Sequence, residues 1–273
     1  MEISSNPPKN GLLQHHPVVT TQEWLEKRKE LLIKEKELTR LQDAIAAKRR
    51  ELPWIRIEKN YVFDAPEGKM TFSELFKGRS QLIVQHFMFG PGWQEGCPGC
   101  SFSADHVDSA FMHLVHNDVS FVAISRAPLS ELLPFKERMG WKFDWVSSNE
   151  NEFNFDFNVS FSPEQKEKGF VYYNYDNQPF ESDELPGHSV FYKNEEGEIF
   201  HTYSAFARGA EHLSSAFSFL DMTPKGRNEK GPYFNLMDWV RHHDKYPSNT
   251  SDQPKGKSSA QAGTCCGAEG HSK

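Results

Sequence analysis

The sequence lacks a membrane segment: nowhere among its 273 residues do about 18 consecutive apolar residues occur. It also lacks basic blocks, and a net charge of −7 argues against a broad nucleic-acid-binding surface. The first residues hold no basic segment followed by an apolar run and few arginines, so neither a signal peptide nor a transit peptide is expected. We therefore expect no membrane partner and no nucleic-acid partner.

Cysteine is scarce as well. Four cysteines in a chain of this length are too few for a secreted scaffold that depends on disulfide bonds. The default expectation is a cytoplasmic protein, in which paired cysteines are catalytic or bind a metal. The proportions of apolar (37%) and charged (25%) residues are those of globular proteins.

The composition changes along the chain and predicts four parts. Residues 1–19 mix Pro, Asn and His without periodicity, and residues 247–273 are rich in Ser, Gly, Lys and Gln, so we expect both ends to be disordered. Residues 20–52 predict a helical arm. Residues 53–246 have the size of one large domain.

The arm has the signals of one long helix. Thr20 or Thr21 can cap its start, with Glu23 at the capping-box position, and Pro53 ends it. Apolar residues recur every seven positions at Trp24, Leu31, Leu38, Ile45 and Leu52, a set that we call the seam. The seam either packs on the chain's own domain or pairs with a second copy in a homodimer.

An alternation of strand and helix patterns follows the arm. It predicts buried strands over 82–89 and 119–125, helices over 97–116 and 129–138, and hairpins that turn at Glu67-Gly68 and Glu196-Gly197. A later helix carries Leu213, Ala216, Phe217 and Leu220 on one face. This alternation implies a mixed, partly parallel sheet with helices on both faces.

The pattern of residues 153–161 allows two interpretations, a strand or a loop. Their strict alternation of apolar and polar residues is typical of a half-buried strand. Turn-forming residues surround them, so they also fit a loop that places its Phe rings under a lid.

The strongest chemical signal is Cys97-Pro98-Gly99-Cys100. It follows a buried strand and a Gly-Pro break and opens a helix, so unpaired amides and the helix dipole stabilise a thiolate at Cys97. The two-residue spacing brings both sulfurs within disulfide reach. We expect Cys97 to be the nucleophile and Cys100 to resolve the mixed disulfide.

Other interpretations of these residues compete. A zinc site would need two more ligands at a matching spacing, and no second pair of that kind occurs. Two buried, inert thiols are a further alternative. His106, His113 and His116 share one helix face, which suggests a metal but fits a solvated face better. No metal and no bound cofactor are predicted.

Two further features bear on the cysteine pair. Trp93 lies four residues before Cys97 and either covers a disulfide or fills the core. Near the end of the chain, Cys265-Cys266 can form only a strained disulfide with each other. This pair is either incidental or exchanges electrons with Cys97 and Cys100.

Several segments together resemble the bacterial family catalogued as domain of unknown function 899. They span about residues 20–246 and read EWLEKRKELLIKEKELTR, LPWIRIEKNYVFDAPEG, HFMFGPGWQEGCPGCSFSADH, FVAISRAPL, MGWKFDWVSS, FHTYSAFARG, LDMTPKGRNE and WVRHHDKY. The resemblance implies a thioredoxin-like α/β fold and a dithiol–disulfide oxidoreductase activity, which for this family is itself inferred from the fold.

A looser similarity to peroxiredoxins adds expectations at single positions. Cys97-Pro98 falls where those proteins have their peroxidatic Cys-Pro, and part of 150–160 falls where they have a helix. Gln94 stands where they have a Thr or Ser that binds peroxide, which is a departure from their pattern.

The same similarities suggest residues that line the site. Arg126 follows the second strand, where peroxiredoxins have an arginine that steadies the thiolate, and Arg208 is another candidate. Pro186 and His188 lie before the strand that faces the active site in thioredoxins. Trp93, Pro98, Arg126 and His188 are therefore the predicted substrate-binding residues.

The prediction is a thioredoxin-like (peroxiredoxin-type) mixed sheet with a long N-terminal helix, acting as a thiol-disulfide oxidoreductase. Its partners would be a protein or small-molecule disulfide and an external thiol reductant. A peroxidase that reduces hydroperoxides at Cys97 is the main alternative. An interaction protein with structural cysteines is the second.

Overall fold

The computed structural model describes residues 16–179, 182–227 and 239–247. In this part of the chain one sheet has eight strands, in the order β1-β10-β9-β4-β5-β6-β2-β3, and a second has two, β7-β8. The strands are β1 (Ile55–Arg56), β2 (Val62–Ala65), β3 (Gly68–Thr71), β4 (Gln81–His86), β5 (Val119–Ser125), β6 (Asp144–Ser147), β7 (Val171–Tyr173), β8 (Asp176–Gln178), β9 (Gly187–Lys193) and β10 (Ile199–Phe206).

The helices alternate with these strands. They are α1 (Thr21–Arg50), α2 (Pro98–His116), α3 (Leu129–Met139), α4 (Phe153–Asp156), α5 (Pro163–Lys166) and α6 (Ser215–Asp221), with 3-10 helices at Glu74–Phe76, Ala207–Leu213 and His243–Lys245. Among the described residues, no helix is both long and apolar enough to cross a membrane.

The strand directions give the sheet its thioredoxin-like topology. β4 pairs in parallel with β5, and β5 with β6, through the crossover helices α2 and α3. β9 runs antiparallel to β4 on its other side and forms a hairpin with β10. The predicted mixed sheet is therefore confirmed.

Alternate side chains of the central strands enter two separate cores. Ile83, Phe121 and Ala123 face α2 and α3. Leu82 and Val84 face the opposite side, which the 3-10 helix Glu74–Phe76 and α4 cover with aromatic rings. Because both faces are covered, these strands read in the sequence as nearly continuous apolar runs.

Most element boundaries follow the sequence prediction. β5 spans the predicted residues, and Gly140 ends α3 in a left-handed conformation with φ of 69°. The first hairpin turns at Pro66-Glu67, one residue earlier than predicted, and Gly68 already belongs to β3. The helix predicted around Leu213 is shorter than expected, because a 3-10 helix takes its first part.

Residues 153–161 form no ladder strand. Phe153–Asp156 is one helical turn, as the peroxiredoxin similarity suggests for part of this region, and only Ser160 makes a single bridge, to Glu184. The alternation reflects burial from a helix and the turns after it. Phe153 is fully buried, and its ring contacts those of Tyr61 and Phe63 at centroid distances of 5.0 and 5.2 Å.

Helix α1 projects its seam into solvent. Thr20 and Glu23 form the predicted capping box, and the helix ends at Arg50. No residue of α1 is buried, and the exposed fractions of the five seam residues range from 41% to 57%. The alternative in which the seam packs on the chain's own domain is therefore wrong. At its C-terminal turn, Arg49 lies over the Tyr203 ring of β10.

The homodimer through α1 stays a prediction, and the exposed seam gives it a test. We expect Leu31→Lys with Leu38→Lys to convert a dimer into a monomer, because two buried lysines would lose their hydration. Sedimentation equilibrium measures the mass, with Lys29→Ala and Lys36→Ala off the seam as the matched control. A wild-type chain that sediments as a monomer would contradict the prediction.

A chain of polar side chains, three of them buried and the fourth, His201, half-buried, crosses β4, β9 and β10 on the aromatic side of the sheet. His86 Nε2 lies 2.7 Å from Ser189 Oγ, which lies 2.7 Å from Ser204 Oγ, which lies 2.7 Å from His201 Nε2. Burial lowers the pKa of His86 to about 3, and the nearby His188 and His201 lower it further. Burial also lowers the pKa of His188 to about 4.

These two buried histidines predict a loss of stability in mild acid. Both are neutral in the fold but bind protons in the unfolded chain below its pKa of 6.5, so the unfolded state gains protons first as the pH falls. We expect the free energy of unfolding to fall by about 1.4 kcal/mol per histidine between about pH 7.5 and about pH 5.5.

Urea unfolding at the two pH values measures this loss. His86→Gln should reduce it by about 1.4 kcal/mol, whereas the exposed His113→Gln should leave it unchanged. If the free energy of unfolding depends equally on pH in the wild type, His86→Gln and His113→Gln, the fold does not keep the buried imidazoles neutral.

Candidate active site

The loop before α2 places Cys97 at the end of β4. Phe87 and Phe89 continue the buried run after β4, and the chain then turns through Gly90-Pro91-Gly92. The backbone amide of Cys97 returns to donate to the Met88 carbonyl at 3.0 Å. Gly96 permits this approach, because a Cβ there would lie 2.6 Å from the Phe87 ring.

Cys97 is the N-cap residue of α2, and Pro98 occupies the first helical position. Proline suits that position because its missing N–H would have no helical partner there. The Cys97 carbonyl accepts from the Ser101 amide at 3.0 Å and from Ser101 Oγ at 2.9 Å. The sulfur therefore stands at the positive end of a 19-residue helix.

The surroundings of Cys97 favour its thiolate. A hydrogen bond from the Cys100 thiol, together with the amides of Cys100 and Gly99, outweighs burial and lowers the pKa of Cys97 to about 7. Both cysteines are free thiols, and Cys97 is the more exposed of the two. A thiol with this pKa is substantially ionised at neutral pH.

Cys100 has the opposite character. It is 4% exposed, its sulfur accepts from the Met88 amide at 3.4 Å, and its carbonyl accepts from Gln85 Nε2 at 3.0 Å. Its hydrogen bond to Cys97, its burial and the negative charge of Cys97 hold its pKa well above the ordinary value. The two thiols therefore differ sharply in acidity.

A buried carboxylate, Glu184, acts on Cys100 from a distant part of the chain. Its charge further raises the pKa of Cys100. Glu184 accepts from Arg126 Nε and from Ser160 Oγ, each at 2.6 Å. Sequence analysis missed Glu184, because nothing in the turn-rich segment around it distinguishes it from a surface acid.

Arg126 lies in this cluster, but its guanidinium is already engaged. Besides the ion pair with Glu184, it lies over the Phe155 ring at 4.8 Å. These two contacts are the ones that the structure gives to the Arg126 guanidinium, and its steadying of the Cys97 thiolate stays a prediction.

His188 is buried at the start of β9, opposite Gln85 of β4. Neither of its ring nitrogens has a hydrogen-bond partner. The neighbouring Pro186 carbonyl accepts from the hydroxyl of Tyr173 at 2.6 Å. Burial raises the pKa of that hydroxyl, and the charge of Cys100 adds to the rise. His188, Tyr173 and Gln85 thus lie around the inner side of the cysteine pair.

The other predicted residues are placed as follows. Trp93 is half-buried against the core that contains Cys97, and its indole lies over Gly90. Gln94 donates to the Gly92 carbonyl at 3.4 Å, within its own loop. Arg208 is exposed and pairs with Glu211 at 2.7 Å.

The histidines of α2 have local partners. The His106 ring contacts the Phe102 carbonyl at 2.6 Å and accepts from the Ala216 amide at 3.1 Å. His113 and His116 are exposed. Within the described ranges, no three His, Cys, Asp or Glu side chains are grouped so that they could hold a metal ion.

The segment 239–247, which we call the strap, lies against the Cys97 loop. The buried His242 donates from Nε2 to the Gly96 carbonyl at 2.8 Å, one residue before Cys97. Glu95 accepts from Lys245 Nζ at 2.5 Å and from Arg138 Nη1 at 2.6 Å. The hydrogen bond from Lys245 lowers the pKa of Glu95 most, and the one from Arg138 lowers it further. Arg138 also binds Asp244 at 2.7 Å.

Apolar contacts anchor the other end of the strap. Val240 is 2% exposed and packs with Phe102 of α2 and Phe217 of α6. His243 Nδ1 lies 2.8 Å from Asp105 Oδ1. The strap is therefore fixed to the first two turns of α2 as well as to the loop before it.

A cleft of about 590 Å³ opens along β10, away from the cysteine pair. Leu52, Tyr175, His201 and Arg208 are among its lining residues, and neither Cys97 nor Cys100 is. The reactive group and this cleft are separate features. Cys265 and Cys266 lie outside the described residues.

Several solved peroxiredoxin structures resemble this fold at low identity. Peroxidoxin BcpB from Mycobacterium tuberculosis is 13% identical, covers 60% of this chain and 94% of its own, and has a TM-score of 0.40. Peroxiredoxin Q from Xanthomonas campestris is 12% identical, with 58% and 87% covered and a TM-score of 0.40.

A yeast mitochondrial 1-Cys peroxiredoxin is 15% identical, covers 60% of this chain and 74% of its own, and has a TM-score of 0.35. No curated protein matches the chain significantly. The profile of the bacterial proteins of unknown function DUF899 matches residues 13–246, so the chain belongs to that family, as the sequence resemblance predicts.

Proposed function

We propose that this protein is a thiol-disulfide oxidoreductase. The observation that carries the proposal is the difference between its two thiols. Cys97, at the helix N-terminus, has a pKa of about 7, whereas the buried Cys100 beside it remains a thiol. One nucleophile and one protonated partner are what dithiol exchange requires.

In the first step the Cys97 thiolate attacks one sulfur of a substrate disulfide. A Cys97–substrate bond forms, the substrate S–S bond breaks, and the other half leaves as a thiolate that takes a proton from water. The amides at the start of α2 stabilise the thiolate before attack. The low pKa of Cys97 also makes it a good leaving group when the reaction runs in reverse.

In the second step Cys100 attacks Cys97 Sγ. In the unreacted site, the hydrogen bond to the Cys97 thiolate and its negative charge raise the pKa of Cys100. The mixed disulfide carries no charge at Cys97, so both effects are lost. Cys100 then loses its proton more readily and displaces the reduced substrate. The substrate gains two electrons. Two external thiol groups later restore the two cysteines by the reverse exchange and become one disulfide themselves.

The peroxidase alternative has less support at this site. Gln94, at the position of the hydroxyl expected in peroxiredoxins, binds the Gly92 carbonyl in its own loop. Arg126 is paired with Glu184. The hydrogen bonds that the structure gives to Gln94 and Arg126 are directed to Gly92 and Glu184 and not to Cys97.

The acidity of Cys97 should depend on the donor at position 100. In Cys100→Ser the hydroxyl still donates a hydrogen bond, so we expect the pKa of Cys97 to stay well below the roughly 8.5 of a free cysteine. In Cys100→Ala that donor is lost, and we expect the pKa of Cys97 to rise by about one unit.

The rate of iodoacetamide alkylation against pH measures both pKa values, since only the thiolate reacts. Cys265→Ser and Cys266→Ser are included in every chain so that Cys97 alone is modified. A pKa near that of a free cysteine in both variants would leave Cys97 without activation and remove the basis of the proposal.

The oxidant that reacts faster with the reduced protein distinguishes a thiol-disulfide oxidoreductase from a peroxidase. We expect reduced protein to form the Cys97–Cys100 disulfide at least tenfold faster with oxidised glutathione than with the same concentration of hydrogen peroxide, because Gln94 stands where peroxiredoxins have the hydroxyl that binds peroxide. Stopped-flow tryptophan fluorescence follows the reaction, with Cys97→Ser as the control that should not respond. Faster oxidation by peroxide would favour the peroxidase.

A further inference from the structure

Gly96, the residue before Cys97, combines close packing with backbone freedom. A Cβ at this position would lie 2.6 Å from the Phe87 ring and 3.0 Å from the Phe135 ring, so only glycine fits between them. A residue without a Cβ has the widest choice of backbone angles. The orientation of the peptide between Gly96 and Cys97 therefore depends on the hydrogen bonds that this peptide makes.

That peptide is held at both ends. Its N–H, which belongs to Cys97, donates to the Met88 carbonyl at 3.0 Å. Its carbonyl, which belongs to Gly96, accepts from Nε2 of His242 at 2.8 Å. Because a peptide group is planar, hydrogen bonds at its two ends fix the plane. The plane sets the φ of Cys97, which is −56°, and with it the direction in which the side chain leaves the backbone.

The surroundings of His242 hold it in place as a donor. A carbonyl oxygen only accepts, so Nε2 of His242 carries the hydrogen. The residue is 4% exposed, and its ring packs edge-on against Phe135 at a centroid distance of 5.3 Å. The strap is anchored to α2 and α6 through Val240, and to α3 through the ion pair of Asp244 with Arg138. Contacts with three helices therefore fix the donor against the loop.

The direction of the Cys97 side chain matters for its acidity. After the hydrogen bond from the Cys100 thiol, the backbone amides of Cys100 and Gly99 also lower the pKa of Cys97. Hydrogen bonds weaken steeply when donor and acceptor lose their alignment. If the peptide before Cys97 turned, the sulfur would lose its alignment with these amides.

We infer that His242 is a positioning residue for Cys97, a role that rests on the proposed function. By holding the Gly96 carbonyl, His242 keeps the preceding peptide in the orientation that directs the Cys97 sulfur to the first amides of α2. It acts through the loop and takes no part in the transfer of protons or electrons.

Two substitutions separate the hydrogen-bond donor from the ring. His242→Phe keeps an aromatic ring and loses the donor, whereas His242→Gln loses the ring and keeps an N–H group. Both are made in the chain with Cys100→Ser, Cys265→Ser and Cys266→Ser, so that iodoacetamide modifies Cys97 alone. The rate of alkylation against pH gives the pKa of Cys97.

We expect His242→Phe to raise the pKa of Cys97 by at least about half a unit, because the sulfur loses part of its alignment with the amides. His242→Gln should leave the pKa within about 0.2 units of the value in the parent chain, because its side chain still donates to the Gly96 carbonyl.

His243→Phe is the matched control, because this neighbouring histidine contacts Asp105 of α2. It should leave the pKa of Cys97 unchanged. Urea unfolding shows whether each variant is folded, and His242→Leu, which also lacks a donor, takes the place of His242→Phe if that chain does not fold. An unchanged pKa in the variant without a donor, or a raised pKa in His242→Gln, would overturn the inference.

A second measurement separates this inference from the proposed function. In a chain with Cys265→Ser and Cys266→Ser, His242→Phe should slow formation of the Cys97–Cys100 disulfide by oxidised glutathione at pH 6 about twofold. A half-unit rise in pKa lowers the thiolate fraction about threefold there and raises the nucleophilicity of the thiolate by a smaller factor.

The two proposals fail in different ways. If the disulfide forms in neither chain, the proposed function fails, and the pKa of Cys97 in the His242 variants still reports whether His242 positions the sulfur. If the disulfide forms at the same rate in both chains and the pKa of Cys97 is unchanged, the inference fails and the proposed function stands.

Discussion

The pairing of the Cys97 and Cys100 thiols at the start of α2 is the interaction on which the proposed chemistry depends. It lowers the pKa of Cys97 and raises that of Cys100, which in the proposed reaction assigns attack to Cys97 and resolution to Cys100. Two backbone contacts support this pairing by fixing the loop after β4 to the start of α2: Met88 accepts from the Cys97 amide and donates to the Cys100 sulfur. The parallel pairing of β4 with β5 in turn holds the strand from which this loop leaves.

Around that pair the protein places charges on two sides. On the inner side, Glu184 is buried with Arg126 and Ser160, and its charge adds to the rise in the pKa of Cys100 that Cys97 and burial cause. On the outer side, the strap holds Gly96 and Glu95 through His242 and Lys245. The inner contacts act on acidity, and the outer contacts act on the position of the loop.

The sequence predicts the features that depend on local signals. Thr20 and Glu23 specify the start of α1, and Pro98 with the glycines before it specifies the start of α2. The nearly continuous apolar runs in the sequence specify the central strands of the sheet. Glu184 and His242 were not predicted, because each acts on the site from more than 80 residues away and has no local pattern. Residues 153–161 were ambiguous because a helical turn and the turns after it place Phe153, Val159 and Phe161 in apolar cores, as a half-buried strand would. The same turns also bury Asn154 and Ser160, which the alternation would leave exposed.

The central claim is that Cys97 and Cys100 interconvert between dithiol and disulfide when a substrate disulfide is reduced. Mass spectrometry of the reduced chain after mixing with one equivalent of oxidised lipoic acid measures this most directly. The account predicts one Cys97–Cys100 bond for each substrate disulfide reduced in a chain that carries Cys265→Ser and Cys266→Ser. Reduced substrate without that bond, or two free thiols after mixing, would contradict it.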